Sequence, residues 1–421
     1  MGEEPPHLAL NIPHREKQRH MQNSTPRLPH RLKTRRIERA LAIFSILTVI
    51  IAWLVGGTIK DAAAETYLHN ALPLATGFQE VAPGIYLATD KARQAIGYVG
   101  IGEGTGYGGP MRMAVAVDLD GEIVGVAMVD HKETPAYLER VFESTFLRDL
   151  LGKNYDQPFE LGKDIDGVTS ATYTSKAIAD AVRRAVREIA REGLGHGVPH
   201  EPKPEIIFGL PEITLILLFA VGYLGRTRKI KKTRYVRWVT MLTGMIVLGF
   251  IFNRPLTISK INMFLMGYFP NWRTDLYWYL LLGGILFVFA ADNRNPYCEW
   301  FCPFGAAQEC MGAIGGAKPR FTRDQQRILD WVQRGLSWLA IVIALLMRNP
   351  GVTSYEIFGT LFQLRGSIVS FVVLGIVLIG SMISHRFWCR TLCPVRPIES
   401  LIRLVRGWIL EIWRTQRRKQ A

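Results

Sequence analysis

Six apolar runs constrain the fold of this chain more than any other feature. They cover residues 40–59, 206–225, 238–253, 276–291, 329–347 and 367–384, with charged segments between them. A helix that crosses a bilayer needs about 20 mostly apolar residues, because lipid offers backbone N–H and C=O groups no partner outside the helix. The runs at 238–253 and 276–291 are short for that length. Any one run alone would also suit a buried helix of a soluble domain. Together they predict an α-helical membrane protein with about six transmembrane helices.

Charge orients these helices. The formal net charge is +15, and lysine and arginine crowd into 31–39, 226–237, 318–327 and 403–419. With six spans, all four regions fall on one side, which the positive-inside bias makes the cytoplasm. The opposite segments, 254–275 and 348–365, carry few positive charges. A basic stripe along a bilayer surface accounts for the charge without nucleic acid, so the lipid bilayer is the first expected partner. The expected order is a disordered basic cytoplasmic arm (1–39), an anchor (40–59) and an extracytoplasmic domain (60–205). A span (206–225) and a basic loop (226–237) follow. Then come a hairpin (238–310), a cytoplasmic loop (311–328), a second hairpin (329–397) and a basic amphipathic tail (398–421). Ala62-Ala63-Ala64 resembles a signal cleavage site, but the long basic arm before it indicates an uncleaved anchor.

Residues 60–194 read as a soluble α/β (α+β) domain. The stretches 113–118 and 123–129 are expected strands joined by a turn at Asp120-Gly121. Residues 175–191 are an expected helix with Ala177, Ile178, Ala181, Val182, Ala185, Val186 and Ile189 on one face. Upstream, 97–109 is dense in glycine, which suits a surface loop or a backbone that approaches a ligand closely. Ahead of the helix stands Asp166-Gly-Val-Thr169-Ser170-Ala171-Thr172-Tyr-Thr174-Ser175. Hydroxyls there either cap the helix or mark a phosphate site at its N-terminus. The domain has no cysteine, so it has no disulfide framework despite its exported position.

All five cysteines follow Pro204, and four form two copies of one pattern: Cys298-Glu-Trp-Phe-Cys302-Pro303 and Cys389-Arg-Thr-Leu-Cys393-Pro394. Cysteines at i and i+4 share a helix face, so each pair can aim both thiols at one point. Four thiolates suit one iron–sulfur cluster or one zinc ion; unliganded small core residues are the plain alternative. Asn253-Arg254-Pro255 precedes the first unit and Arg348-Asn349-Pro350 the second, which reads as an internal duplication with its site at the repeat interface. Cys310 reads as an ordinary apolar residue, with a spare ligand as the alternative. No span carries an internal histidine, which excludes a bis-histidine haem in the bilayer. Glu212 is either a proton or quinol contact or a shallow residue near the outer headgroups.

The segment around Thr172 resembles the Asp-x-x-(Ser/Thr)-Gly-Ala-Thr signature of exported flavin-binding domains. Such domains occur in the C and G subunits of sodium-pumping quinone reductases and Rnf complexes, and in NosR-like proteins. The resemblance implies FMN esterified through its phosphate to Thr172 by a flavin transferase. Asp166, Thr169, Ser170 and Ala171 then surround the attachment point. Gly108, Gly109, Glu133 and Thr134 contribute from the Gly-Tyr-Gly-Gly-Pro110 loop and the His131-Lys-Glu133-Thr134-Pro135 segment. Ser170 departs from the pattern, standing where the family usually has glycine.

With the paired Cys-x-x-x-Cys-Pro motifs behind it, the whole layout after about residue 40 resembles the NosR/NirI family. NosR continues into a cytoplasmic ferredoxin domain, which is expected to be absent here, as in NosR-like membrane flavoproteins associated with organohalide respiration. The resemblance implies a bacterial inner-membrane flavoprotein with a 4Fe-4S cluster on Cys298, Cys302, Cys389 and Cys393. It would relay electrons between quinone, or a cytoplasmic ferredoxin-like donor, and a periplasmic reductase or cytochrome. A transmembrane redox sensor and a maturation factor for a periplasmic metalloenzyme are the alternatives. Because the hydrocarbon core is about 30 Å thick, a relay needs a quinone, a partner subunit, or an exported domain folded down onto the membrane.

Overall fold

The computed structural model describes residues 28–58, 64–133, 135–200, 204–227, 233–318 and 321–420. Most of the expected basic arm lies outside the described residues. Where description begins, at Leu28, the chain is already helical, so 28–39 is the start of a helix rather than a disordered arm.

Five strands form one antiparallel meander: β1 (Gly77–Ala82), β2 (Ile85–Thr89), β3 (Ala95–Thr105), β4 (Pro110–Val117) and β5 (Ile123–His131), paired in sequence order. The two strands expected at 113–118 and 123–129 are β4 and β5. The glycine-dense stretch is not a surface loop for most of its length but the central strand β3. Helix α1 (Leu28–Thr58) precedes the sheet, α2 (Ala64–Ala71) covers one of its faces, α3 (Pro135–Glu143) follows it, and α4 (Thr172–Glu192) crosses the other face.

Glycine explains how close α4 lies. Gly100, Gly102 and Gly104 alternate along β3, so all three face α4. A Cβ on Gly100 would strike the Ile189 side chain, and one on Gly102 or Gly104 would run into the backbone at Ala181 or Ala177. The bare strand lets the helix backbone rest directly on the sheet. Met111, Met113, Val115 and Val117 of β4 fill the flank, and Ile178, Val182, Val186 and Ile189 are buried against them. Each such aliphatic side chain contributes about 1.5–3 kcal/mol on burial.

Every predicted apolar run is helical. Three helices are long and apolar enough to cross a membrane, Ile37–Gly57, Thr233–Ile251 and Arg323–Leu346; Leu210–Gly225, Leu276–Asp292 and Ile368–Ile383 are apolar but shorter. The run expected at 238–253 gains length because α6 (Thr233–Thr243) starts earlier and continues as a π-helix to Ile251. The run expected from 206 begins later, in α5 (Leu210–Thr227), where the Glu212 carboxylate accepts the Gly209 N–H at 2.9 Å.

The element order after α5 repeats. A long helix (α6 with its π-helical end), a short one (α7, Ile258–Leu265) and an apolar one (α8, Leu276–Asp292) lead to a π-helical turn at Tyr297–Phe301 and then α9 (Pro303–Gly315). A long helix (α10, Arg323–Leu346), a short one (α11, Phe358–Gln363) and an apolar one (α12, Ile368–Ile383) lead to a one-turn helix (α13, Phe387–Thr391) and then α14 (Val395–Gln420). Both long helices end on a left-handed residue: Asn253 at φ 45° and Arg348 at φ 50°.

Candidate functional site

Two sites stand out, one at each end of a single apolar cluster. The first gathers around the N-terminus of α4. Thr172 is the first helical residue and is exposed. Ala171 occupies the cap position, and no side chain caps the helix. The hydroxyls ahead of α4 therefore do not act as its cap. The Ser175 hydroxyl instead accepts the Val168 N–H at 3.2 Å. Ser170 has φ 65°, the left-handed conformation that glycine adopts freely and that costs other residues about 1–2 kcal/mol.

Ser170, Ala171 and Thr172 line a cavity of about 280 Å³. Gly108, Gly109 and Glu133 stand behind it rather than in it. The buried Glu133 carboxylate accepts the N–H groups of Tyr107 at 2.8 Å and Gly108 at 3.1 Å. The Gly106 N–H donates to the Gly109 carbonyl at 2.8 Å. Side chains at Gly108 or Gly109 would meet Lys132. These residues shape the loop that thrusts Tyr107 into the cavity. Asp166 and Thr169 are exposed and do not line it. Thr134 lies outside the described residues.

The opposite wall comes from the membrane half, and sequence reasoning missed it. Arg254 donates to the Tyr173 hydroxyl at 2.7 Å and pairs with Glu212 at 3.2 Å. That pairing accounts for the buried Glu212. Tyr137 reaches Gln363 at 3.4 Å. Lys260, on α7, is 3 % exposed. Its Nζ donates to the Tyr107 carbonyl at 2.5 Å and lies 4.2 Å and 4.8 Å from the ring centres of Tyr107 and Trp278. Burial lowers its pKa to about 8, with Asp275 and Glu133 opposing the shift. No local pattern marks a single lysine in a short helix; only the tertiary fold brings it here.

From Tyr107 the apolar cluster continues through Trp278, Tyr277, Tyr297 and Phe301 to Cys298, Cys302 and Cys393. The rings of Tyr107 and Trp278 are 6.4 Å apart, and those of Trp278 and Tyr277 5.1 Å. The Tyr277 hydroxyl donates to the Arg254 carbonyl at 2.9 Å. The Tyr297 hydroxyl accepts the Leu256 N–H at 2.9 Å. The FMN-binding-type sheet domain is thus seated on the segments around 254–278 and 358–363.

At the second site the motifs are not simple helix faces. Cys302 leaves the π-helical turn at φ −58°, ψ 120°, and Cys393 lies beyond the end of α13. The following prolines explain this, since proline drives the residue before it out of the helical region. Both motifs close alike. The Cys302 N–H bonds to the Tyr297 carbonyl at 2.7 Å, and the Cys393 N–H to the Trp388 carbonyl at 3.0 Å.

Each motif is braced by the other repeat. Arg386 donates to the Cys298 carbonyl at 2.7 Å and to Glu309 at 2.6 Å. Gln308 accepts the Trp388 N–H at 2.8 Å and donates to the Cys389 sulfur at 3.4 Å. Asn295 donates to the Cys298 sulfur at 3.1 Å, and Arg237 also pairs with Glu309. Cys298, Cys389 and Cys393 line a cleft of about 710 Å³ rimmed by Arg334, Arg390, Arg396 and Arg403, while Cys302 packs against the apolar clusters on both sides. Among the described residues, no three His, Cys, Asp or Glu side chains stand close enough to hold a metal as they are turned. The chemistry nevertheless fits an iron–sulfur cluster: four cysteines gather from two repeats, amide donors point at two of the sulfurs, and arginines balance the charge. Cys310 is a free cysteine outside this group.

Comparison with known proteins matches both sites. The FMN-binding domain family matches residues 106–187, and the 4Fe-4S binding domain family matches 274–322 and 367–410, one segment in each repeat. The chain thus carries an FMN-binding domain and a 4Fe-4S binding domain, together with three helices long and apolar enough to cross a membrane. It is similar to the protein NirI of Paracoccus denitrificans, with 25% identity over 66% of this chain and 43% of NirI. The G subunit of the proton-translocating ferredoxin:NAD(+) oxidoreductase complex of Clostridium ljungdahlii is 32% identical over 25% of this chain and 59% of its own length. The G subunit of the ion-translocating oxidoreductase complex of Photorhabdus laumondii is 27% identical over 30% of this chain and 63% of its own length. The NosR/NirI-like layout read from the motifs is borne out; the chain spans between 43% and 63% of the length of these three relatives.

Proposed function

We propose that the chain relays electrons between the quinone pool, or a cytoplasmic ferredoxin-like donor, and a periplasmic respiratory reductase or cytochrome. Thr172 carries FMN through a phosphoester formed by a flavin transferase, and Cys298, Cys302, Cys389 and Cys393 hold one 4Fe-4S cluster. Six spans cross the bacterial inner membrane with both termini in the cytoplasm. When bound, FMN supplies a junction between two-electron and one-electron carriers.

The observation that carries this reading is the continuous cluster from Tyr107 to the cysteines. Tyr107, on the wall of the cavity beside Thr172, and Cys302 both belong to this one cluster. That arrangement favours the folded-down alternative for crossing the 30 Å core. The uncapped N-terminus of α4 offers free N–H groups to a phosphate at Thr172. The cysteine cleft, rimmed by arginine, suits an anionic donor.

Coexpression with a flavin transferase, followed by a denaturing gel under ultraviolet light, tests the attachment. The wild type gives a fluorescent band and Thr172→Ala does not; a dark wild-type band sinks the proposal. Anaerobically purified protein should carry about four iron atoms per chain, the content of one four-iron cluster. Iron unchanged in Cys298→Ala would remove that cysteine from the ligand set.

A further inference from the structure

We infer that Lys260, contributed by the membrane half, is a positioning residue for the flavin ring and sets its reduction potential. The inference rests on attachment at Thr172 and deepens it. The cavity beside Thr172 is small, at about 280 Å³, near the low end for ligand pockets. It suits the flat ring of a flavin whose phosphate stays outside on the exposed threonine. Aromatic side chains line part of it, with Tyr107, Tyr137, Tyr173 and Trp278 among them.

Lys260 lines this cavity and is buried. A buried ammonium is costly unless paired, and among the described residues no carboxylate oxygen lies within ion-pair distance of it. Its acceptors are one carbonyl, that of Tyr107 at 2.5 Å, and the Met263 sulfur at 3.8 Å. Three N–H donors therefore have a single strong acceptor. Burial lowers its pKa, and the carboxylates of Asp275 and Glu133 oppose the shift only from beyond ion-pair distance. A flavin ring offers what is missing: carbonyl oxygens along its pyrimidine edge, and negative charge there on reduction. A fixed cation in a water-poor site stabilises that charge strongly, which raises the potential. Arg254, also on the wall, is held by Glu212 and Tyr173, which leaves Lys260 as the cation with donors to spare.

The test uses the full chain flavinylated in the membrane and a spectroelectrochemical titration of its flavin. Lys260→Met should shift the equilibrium toward oxidised flavin at least tenfold, about 30 mV lower for a two-electron couple. Lys260→Arg, which keeps the charge, should stay within that margin of wild type. A fluorescent band on the denaturing gel with an unchanged midpoint in Lys260→Met overturns the role of Lys260 and leaves attachment intact. A dark wild-type band overturns attachment itself. If Lys260→Met does not fold, amine acetylation read by peptide mass spectrometry decides. Lys260 should react at least tenfold faster in Thr172→Ala than in flavinylated wild type, and equal rates overturn the inference.

Discussion

Gly104→Ala is the smallest change that separates α4 from its strand. The added Cβ would sit against Ala177, with the carbonyl carbon at 2.8 Å and Cα at 3.1 Å, and the carbonyl oxygen nearer still. Carbon atoms prefer about 3.5–4.0 Å, so the helix must retreat by at least about 0.7 Å at that carbon, and by more at the oxygen. Backbone cannot rotate aside as a side chain can. The retreat opens a gap beneath Ala177, Ile178 and Ala181, all buried, and a gap of about 0.5–1 Å forfeits a quarter to a half of each contact's attraction. Overpacking of this kind costs about 1–3 kcal/mol, and the backbone contact argues for the upper part of that range. The melting temperature of the FMN-binding domain, followed by its flavin fluorescence, should drop by about 4–10 °C. Gly197→Ala is the control, since an added Cβ there meets nothing within 4 Å. Equal melting of the two variants would show that the glycine strand does not set the seat of α4. Because Thr172 opens that helix, flavin loading should fall in Gly104→Ala alone.

Three further outcomes are expected. Ser170→Gly should change stability by under about 0.5 kcal/mol, since relief of the left-handed strain offsets the added chain entropy. Ser170→Val should cost about 2 kcal/mol, because a β-branched residue is an outlier at positive φ; chemical denaturation distinguishes them. Glu309→Gln leaves Arg237 and Arg386 without their buried carboxylate and should cost about 3 kcal/mol, with iron content falling as the bracing of Cys298 loosens. Lys260 has a folded pKa near 8 against 10.5 unfolded, so the unfolded state binds more protons between those values and stability rises with pH there. In a Thr172→Ala background the melting temperature should climb across that window, and the added Lys260→Met should flatten the climb. Asp275, Glu133 and Arg254 face the same lysine and are unchanged in the comparison.

The apolar runs were legible because a bilayer imposes one requirement on every residue of a span. The strands flanking Asp120-Gly121 and the α4 face were legible for a similar reason: their period repeats over many positions. The glycine stretch was ambiguous because glycine serves both turns and close packing, and only the position of α4 distinguishes them. The cysteine spacing misled in one respect. A helix face presumes a continuous helix, and the prolines after Cys302 and Cys393 break it. That break was readable from the dipeptide itself. Lys260 and Arg254 were not readable at all, since their role comes from the meeting of two parts of the chain remote in sequence.

The mutual bracing of the two cysteine motifs also sets a clock on biosynthesis. The Cys298 carbonyl waits for Arg386, made 88 residues later, and the Trp388 N–H closes onto Gln308 across 80 residues. At about 5–20 residues per second, the first motif stands unfinished for about 4–18 s after it leaves the ribosome. On the four-thiolate reading, a cluster cannot be inserted cotranslationally into the first hairpin. Loading must follow the insertion and pairing of both, so a chain truncated between the repeats should carry no iron.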